Sequence, residues 1–251
     1  MDGYDATTYG DGIAEMYDKW ISAGSQDAQL DAAVSFLAGH ARAGRALELG
    51  IGTGRIALPL AERGIKVHGI EASERMVEKL REKPGAEDLP VTVGDFADVA
   101  APGPFDLVFV VTNTLFNLTT QEDQLRCLQN SAQQLSPGGV LVVEALVPDV
   151  TRFDRDQRVQ VGQIEVGRVR LDVSRHDRVS QTVTSQHLVV DAEGTRLYPV
   201  QTRYVWPAEL DLMCRLAGLF RIARTGGWQG EPFSAASPRH VSVYGRSASA
   251  S

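Results

Sequence analysis

The sequence lacks several features that would place a protein in a specialised class. Its 251 residues contain two cysteines, too few for a disulfide framework or, alone, for a zinc site. No apolar run approaches the roughly 20 residues that a membrane-spanning helix needs. The acidic N-terminus lacks the basic start and apolar run of a signal peptide. We therefore expect a protein of the reducing cytoplasm with no membrane partner.

Positive charge is also scarce. The chain has 25 lysines and arginines against 32 aspartates and glutamates, which gives a formal net charge of −7. Proteins that bind phosphate backbones usually show the opposite balance, and the arginines of residues 150–206 are interleaved with acids. We therefore expect a small-molecule partner and no nucleic acid. The remaining composition, with 43% hydrophobic residues, is typical of a globular protein that buries its own core.

Short apolar runs alternate with helical patterns in the middle of the chain. Strands are predicted at 45–49, 66–70, 91–93, 105–111 and 139–144, and helices at 55–63, 73–82 and 120–135. This alternation has the spacing of right-handed crossover units, so it predicts an α/β domain with a parallel sheet between two helical layers. Pro207 begins a further helix, which two closing strands follow. We assign residues 46–149 and 207–246 to this domain.

Two other parts of the chain have a different pattern. Residues 1–45 are mostly helical in period, whereas residues 150–206 carry period-two patterns. The phase of that alternation changes at Gly167, which suggests a bulge, and residues 192–194 are a turn signal between two strands. We predict a helical segment over residues 1–45 and an antiparallel sheet inserted over residues 150–206.

A glycine-rich loop is the most specific motif. It runs Glu48-Leu49-Gly50-Ile51-Gly52-Thr53-Gly54, between the first strand and a helix. Glycines there let the backbone approach a ligand closely and turn tightly, although a turn without a ligand can have the same residues. Glu71 ends the second strand, where a carboxylate can accept hydrogen bonds from both hydroxyls of a ribose. Asp95 ends the third strand at the same rim, where it can accept one from the exocyclic amine of adenine.

Two kinds of nucleotide ligand fit this loop. Residues 52–57 satisfy the looser dinucleotide fingerprint G-x-G-x-x-A, so an NAD-dependent oxidoreductase stays open. Glu48, just before the loop, would repel a pyrophosphate but could help to hold a cation. The dinucleotide interpretation also leaves Asp95 unexplained. A nucleoside with a positive sulfonium and an amino-acid tail suits this acidic rim better.

Five motifs in order resemble those of class I S-adenosylmethionine-dependent methyltransferases. They are ALELGIGTG at 46–54, GIEAS at 69–73, GDF at 94–96, FDLVF at 105–109 and LSPGGVLVVE at 135–144. The resemblance covers about residues 40–147. It implies a doubly wound, Rossmann-like sheet of seven strands whose last strand is antiparallel. It also implies S-adenosylmethionine as cofactor and S-adenosylhomocysteine as its product.

The resemblance implies positions for the cofactor's parts. The glycines would surround its methionine part and ribose, Glu71 would bind the ribose hydroxyls, and Asp95 with Phe96 would contact the adenine edge. Ala72 and Met76 would flank the adenine ring. The set from this stretch of the chain is Glu48, Gly50, Gly52, Gly54, Glu71, Ala72, Met76, Asp95, Phe96, Val111 and Thr112.

The N-terminal helix carries a finer resemblance. Residues 9–20, YGDGIAEMYDKW, are similar to the lid of small-molecule N-methyltransferases, among them the amino-sugar enzymes of antibiotic pathways. This implies that residues 1–45 form a helical lid over the cofactor. In that lid Tyr9, placed ahead of the helix, and Tyr17 close over the methionine end of the cofactor, with Trp20 beside them. An aromatic face or phenol oxygen stabilises a sulfonium charge in a dry site. Trp20 suits packing on the core equally well.

The inserted sheet resembles that of antibiotic-tailoring N-methyltransferases, in which such strands pair subunits. The resemblance therefore implies a homo-oligomer that forms through residues 150–206. Together with the lid and the segment NTLFNL at 113–118, the insert is similar to enzymes that N-methylate lincosamide antibiotics at the prolyl ring nitrogen.

The methyl acceptor has to lie above the carboxyl ends of the strands, beside the cofactor. The residues predicted to bind it are Asn113, Phe116, Asn117, Trp228 and Phe233. An amine needs only to be neutral to accept a methyl group, so no strong base is required. If a base acts, His240 is the best-placed histidine, although a partly exposed histidine at a strand start is the plainer interpretation. Tyr9, Tyr17 and His240 are thus the candidate catalytic residues.

The absence of certain motifs disfavours some alternative functions and leaves others open. No Asn-Pro-Pro-Tyr-like segment follows the fourth strand, and no cysteine lies near the glycine loop, which disfavours methylation of DNA bases. No cluster has metal-ligand spacing, so we expect no metal. A small-molecule O-methyltransferase is the nearest rival to N-methylation. An NAD-dependent oxidoreductase and a cofactor-binding protein without catalysis are the rivals from other classes.

Overall fold

A computed structural model of the chain describes Met1, residues 3–22 and residues 27–246. The helices are α1 (Thr8–Ser22), α2 (Asp27–Ala41), α3 (Ala57–Glu62), α4 (Glu74–Arg81), α5 (Gln121–Gln134) and α6 (Pro207–Leu216). The strands are β1 (Arg45–Leu49), β2 (Lys66–Glu71), β3 (Val91–Val93), β4 (Phe105–Val110), β5 (Leu135–Leu146), β6 (Gln157–Glu165), β7 (Arg168–Asp177), β8 (Thr182–Asp191), β9 (Gly194–Arg203), β10 (Leu219–Thr225) and β11 (Arg239–Arg246). Within the described ranges, no helix has the length and apolar character needed to cross a bilayer.

Seven strands form the main sheet in the order β10-β11-β5-β4-β1-β2-β3. Strands β1 to β5 pair in parallel, whereas β11 runs antiparallel to both β5 and β10. The predicted doubly wound α/β sheet with an antiparallel last strand is therefore confirmed. The chain reverses its direction of winding between β1 and β4, and a crevice opens there at the carboxyl ends of the strands.

Helices cover both faces of this sheet because each face is lined by apolar side chains. On one face α5 and α6 bury Leu128 and Met213 in a cluster that includes Leu141 of β5. On the other, α2 and α3 bury Leu37 and Leu60. Helix α2 is therefore a core helix of the sheet, and the predicted helical segment 1–45 divides into α1 and this core helix.

The insert forms a second sheet of four antiparallel strands in the order β6-β7-β8-β9. The two-residue connection between Asp191 and Gly194 confirms the predicted hairpin. The bulge predicted at Gly167 is wrong: this glycine, with φ of 75°, lies in the turn that joins β6 to β7. The opposite phases of alternation belong to two strands, and the register shift lies between Val161 and Gln163 instead.

A buried polar network attaches the insert to the main domain. The Arg203 guanidinium of β9 donates hydrogen bonds to Gln124 Oε1 at 2.6 Å and to Glu209 Oε1 at 2.7 Å. Gln124 Nε2 in turn donates to the carbonyl oxygen of Arg203 at 2.8 Å. Because Arg203 and Gln124 are both buried, these bonds fix β9 against α5 and α6.

Candidate functional site

A cavity of about 510 Å³ lies at the carboxyl ends of the parallel strands, between the main sheet, α1 and β9. Its size falls in the range of small-molecule and cofactor sites. The lining residues are Tyr4, Asp5, Ala6, Tyr9, Gly10, Tyr17, Trp20, Gly50, Gly52, Glu71, Ala72, Met76, Asp95, Phe96, Thr112, Asn113, Thr114, Asn117, Leu118, Thr119, Asp123, Val200 and Thr202.

The glycine loop forms the floor of this cavity. Gly52 has φ of +55°, and a Cβ atom there would meet nothing within 4 Å because the position faces open space. Gly50 also has a positive φ, and a Cβ there would lie 2.5 Å from Thr114 Cγ2. Gly54 is required for packing, since its Cβ would collide with Leu80. Gly52 thus exposes backbone to a ligand, whereas Gly50 and Gly54 let the loop pack closely against Thr114 and α4.

Glu71 and Asp95 point their carboxylates at the rim of the cavity. Backbone N–H groups hold Glu71: Gly52 N donates to Oε2 at 2.8 Å and Ser73 N to Oε1 at 3.0 Å. The Ala97 N–H donates to Asp95 Oδ1 at 2.8 Å. Burial raises the pKa of both carboxyl groups, and the backbone donors oppose that shift. Each carboxylate keeps lone pairs for further donors, such as the hydroxyls of a ribose or the amine of adenine.

Glu48 lies beneath the loop, outside the cavity lining. Its side chain is buried, and Oε2 has no hydrogen-bond partner among the residues described. Burial raises the pKa of Glu48 well above its usual value, and the nearby Arg55 opposes the shift. Most buried polar atoms in proteins have a hydrogen-bond partner, so the unpaired Oε2 indicates that a further group belongs near it. Together with the free lone pairs of Glu71 and Asp95, it fits a cationic nucleoside above the loop.

A strained turn after β4 brings polar groups to the cavity. Thr112 and Asn113 have successive positive φ values of 58° and 62°, which are uncommon for residues other than glycine. Glu144 Oε2 accepts a hydrogen bond from Thr112 N at 2.5 Å, and Asn113 Oδ1 accepts one from Leu146 N at 2.6 Å. Arg55 donates to the Thr112 hydroxyl at 2.7 Å. The turn is therefore held from β5 and from the glycine loop.

Helix α1 covers the cavity with Tyr9, Tyr17 and Trp20. The prediction that Tyr9 precedes the helix is wrong, because α1 begins at Thr8. Burial raises the pKa of both phenols, that of Tyr17 to about 12. Both groups therefore stay protonated near neutral pH, so they can donate hydrogen bonds but cannot act as bases there.

An acidic stripe docks α1 onto α4. Asp11 Oδ1 accepts a hydrogen bond from the Ser73 hydroxyl at 2.6 Å, and Asp18 lies 2.7 Å from Lys83 Nζ. Gly10 allows the close approach, since a Cβ atom there would lie 2.5 Å from Ser73 Cβ. These contacts keep α1 closed over the cavity.

Trp20 joins α1 to the inserted sheet. Its ring lies edge-on to Tyr198 at 5.0 Å and to His187 at 5.7 Å between centroids. The Arg170 guanidinium carbon lies 5.3 Å from the centre of the same ring. Trp20 thus both lines the cavity and packs on the inserted sheet, so the two interpretations of this residue do not exclude each other.

The structure brings most of the predicted site residues together. Those at the cavity are Tyr9, Tyr17, Trp20, Gly50, Gly52, Glu71, Ala72, Met76, Asp95, Phe96, Thr112, Asn113 and Asn117. Those outside its lining are Glu48, Gly54, Val111, Phe116, Trp228, Phe233 and His240. Val111 and Phe116 instead pack in the apolar clusters on the two faces of the main sheet.

Besides Phe116, three residues predicted at the acceptor lie outside the cavity lining. His240 is fully buried on β11, with Nδ1 2.9 Å from the Ser242 hydroxyl, and burial lowers its pKa to about 4. Trp228 packs edge-on against Phe36 and lines a separate pocket of about 410 Å³. Phe233 packs beneath the Arg224 guanidinium. The loop between β10 and β11 folds toward α2, which turns these side chains away from the glycine loop.

Sequence reasoning missed three groups of lining residues. They are Tyr4, Asp5 and Ala6 before α1; Leu118, Thr119 and Asp123 near the start of α5; and Val200 and Thr202 on β9. Period-two alternation places Val200 and Thr202 on one face of β9. That pattern cannot say which face meets the cavity, and the N-terminal residues carry no motif.

Comparisons with known proteins agree with this geometry. A family model described as a methyltransferase domain matches residues 46–139. The cypemycin N-terminal methyltransferase of a Streptomyces species is 32% identical over 245 residues, which are 96% of this chain and 99% of that protein. The structure of the CcbJ methyltransferase from Streptomyces caelestis aligns with a TM-score of 0.90 and 40% identity, over 98% of this chain and 100% of that one. The S-adenosylmethionine-bound amino pentose methyltransferase CalS10 from Micromonospora echinaspora aligns with a TM-score of 0.68 and 25% identity, over 92% and 96%.

Proposed function

The chain belongs to the class I S-adenosylmethionine-dependent methyltransferases, and from this we propose that it methylates a nitrogen of a small natural product. One observation carries the proposal: the glycine loop, the rim acids Glu71 and Asp95 and the tyrosines of α1 line a single cavity. Two relatives act on nitrogen or on amino sugars according to their names, the cypemycin N-terminal methyltransferase and the amino pentose methyltransferase CalS10.

The lining residues divide between the parts of the cofactor. Glu71 is proposed to accept hydrogen bonds from the two ribose hydroxyls, and Asp95 is proposed to accept one from the exocyclic amine of adenine. Ala72, Met76 and Phe96 would flank the adenine ring. Gly50, Gly52 and Thr112 would lie along the methionine part, and the sulfonium charge would favour the ionised form of Glu48 below the loop. This assignment is supported by the lone pairs that Glu71 and Asp95 leave open on the cavity side.

When bound, S-adenosylmethionine supplies a methyl group on a positive sulfonium, which an amine can displace in line. The chain has to align the acceptor nitrogen and exclude water. Tyr9 and Tyr17 suit that task, since their phenols close the cavity and stay protonated near neutral pH. Their oxygen lone pairs and ring faces favour a nearby cation.

The acceptor space is proposed to lie among the lining residues that the cofactor leaves free. They include Tyr4, Ala6, Asn113, Asn117, Thr119, Val200 and Thr202. This set replaces Trp228, Phe233 and His240, which lie outside the cavity.

No histidine or lysine lines the described cavity, so a hydroxyl acceptor would have little help in losing its proton. A neutral amine needs none before attack, and its product releases a proton to solvent. Nitrogen is therefore favoured over oxygen.

The ring nitrogen of a prolyl group in a lincosamide precursor is the first acceptor that we propose. It is a secondary amine, so it can take one methyl group and remain basic. The support is the resemblance of the lid, the insert and residues 113–118 to such enzymes.

We also propose that the chain forms a homo-oligomer through the inserted sheet. The face of this sheet that points away from α1 exposes apolar side chains, including Val159 at 69% and Leu197 at 58%. Such a surface is unusual on a monomer. Light scattering after size-exclusion chromatography should give a mass above the 27.2 kDa of one chain, and a monomer at micromolar concentration would contradict the proposal.

Isothermal titration and a methyl-transfer assay test the proposed function. S-adenosylhomocysteine should bind and NADH should not, because the acids at the rim oppose a pyrophosphate. Labelled methyl groups should pass to amines of an acceptor panel and not to matched phenols. Tight NADH binding without S-adenosylhomocysteine binding would indicate an oxidoreductase, and transfer to phenols alone would indicate an O-methyltransferase.

A further inference from the structure

Every ionisable side chain that lines the cavity, apart from the tyrosines, is acidic. The four carboxylates are those of Asp5, Glu71, Asp95 and Asp123, and the described lining includes no lysine, arginine or histidine. The proposed cofactor site uses Glu71 and Asp95, whereas Asp5 and Asp123 come from the segment before α1 and the start of α5. Asp123 is paired with Arg126 at 2.6 Å, so Asp5 is the negative charge that remains for the acceptor side.

The cations near the cavity are engaged with other groups. Arg55 donates to the Thr112 hydroxyl at 2.7 Å. Arg170 lies over the Trp20 ring and 3.8 Å from Asp172. Arg126 pairs with Asp98 and with Asp123 itself, at 3.1 and 2.6 Å. Lys83 lies 2.7 Å from Asp18 and also donates to the Thr53 carbonyl. An anionic group in the cavity would have to break such pairs to find a partner.

Asp5 is a fixed negative charge at the cavity wall. Its Oδ1 atom accepts four hydrogen bonds, from the backbone N–H and the hydroxyl of both Thr7 and Thr8, and so caps α1. These bonds lower the pKa of the carboxyl group. Asp5 therefore keeps its charge under mildly acidic conditions and is a poor base.

We propose that the cavity selects an amine that binds as a cation and carries no phosphate, and that Asp5 is a specificity-determining residue for it. The inference rests on the proposed N-methyltransferase function. An ammonium group gains from the carboxylates and loses its proton to solvent before it attacks. A phosphorylated or nucleotide-linked amine would place its negative charges beside these carboxylates, and this repulsion disfavours its binding.

An acceptor pair tests the phosphate exclusion. With the wild-type protein, a free amino sugar and the nucleoside diphosphate of the same sugar should differ by at least about 100-fold in kcat/KM, in favour of the free amine. Equal use of both would overturn the inference and leave the proposed function intact. If S-adenosylhomocysteine binds but no amine in the panel is methylated, the proposed function fails instead.

The substitution Asp5→Asn tests the residue. An asparagine side-chain oxygen still caps the helix, so only the charge is removed. The KM of prolinamide, a cation at neutral pH, should rise about two- to fivefold, the size expected for a solvated charge pair. The KM of an aniline, which is neutral there, should not change, and neither should S-adenosylhomocysteine affinity.

The matched control is Glu62→Gln, which removes one exposed charge of α3 outside the cavity lining. It should leave both KM values unchanged. An equal rise for prolinamide and aniline in Asp5→Asn would show that the residue shapes the cavity without selecting charge. No rise for prolinamide would also overturn the assignment.

Discussion

The two sides of the cavity are built differently. On the proposed cofactor side, Glu71 and Asp95 lie at the ends of adjacent strands of one sheet, and backbone N–H groups of the glycine loop and of the loops after β2 and β3 hold them. On the acceptor side, the residues come from the segment before α1, the start of α5 and β9, which no common sheet joins. The cofactor side is therefore rigid by its local geometry, while the acceptor side depends on how separate elements dock. We infer that cofactor affinity and acceptor selectivity can change independently.

The largest expected effect comes from detaching the insert. Arg203→Ala removes a buried cation and leaves Glu209 and Gln124 without their partner, which should lower the free energy of unfolding by about 3–5 kcal/mol. Urea denaturation followed by circular dichroism measures it. Arg196→Ala, which breaks the partly exposed pairs of another β9 arginine with Asp191 and Glu193, should cost less than about 1 kcal/mol. Similar losses in the two variants would contradict the role of the buried network.

The next effect concerns His240, which lies on neither side of the cavity. Its pKa is lowered to about 4 from an ordinary 6.5, so the folded state disfavours the proton. This group therefore does not lower the free energy of unfolding above pH 6.5. As the pH falls toward 4, that free energy decreases, and the full loss is about 3 kcal/mol. Urea titrations from pH 7 to 4 measure the loss, which should be smaller in His240→Asn.

The same His240→Asn variant also addresses catalysis. Because the ring is buried away from the cavity, the variant should keep most of its methyl-transfer activity at pH 7.5, once corrected for any unfolded fraction. Loss of all activity in folded protein would mean that His240 is a required base.

A smaller effect should separate the two sides directly. In Glu71→Gln one oxygen becomes an N–H₂ group that faces backbone donors, and the negative charge toward the ribose is lost. Affinity for S-adenosylhomocysteine should fall about 10- to 100-fold, the worth of hydrogen bonds to a charged group. At saturating cofactor, the acceptor KM should be unchanged. Glu74→Gln, on the exposed first turn of α4, is the control and should bind normally.

The smallest effect is expected from the phenols of α1. Tyr9→Phe and Tyr17→Phe keep the ring and its packing, so the melting temperature should hold while kcat falls about tenfold through lost positioning. Stopped assays at saturating substrates measure the change. Unchanged kcat in both variants would show that neither hydroxyl contributes to the reaction.

Much of the cofactor side could be predicted from the sequence because its determinants are local. A glycine loop has to follow one strand, and an acid has to follow each of the next two, so linear spacing carries the geometry. His240 shows the limit of that logic. The sequence predicts its place at the start of the last strand. Burial of its side chain, however, depends on the β10–β11 loop, whose Phe233 packs against the His240 ring. The place of Trp228 outside the cavity could not be predicted for the same reason, since its partner Phe36 lies far away in the chain.

The sequence by itself determined the fold class, the order of the elements and the acids at the rim of the cavity, because periodicity and motif spacing act over short stretches of chain. Only the tertiary structure decided the acceptor side. Asp5, Asp123 and Thr202 line one cavity because a buried network docks β9 on α5 and an acidic stripe docks α1 on α4. Such contacts join residues distant in sequence, and their energies depend on burial, which no local pattern encodes.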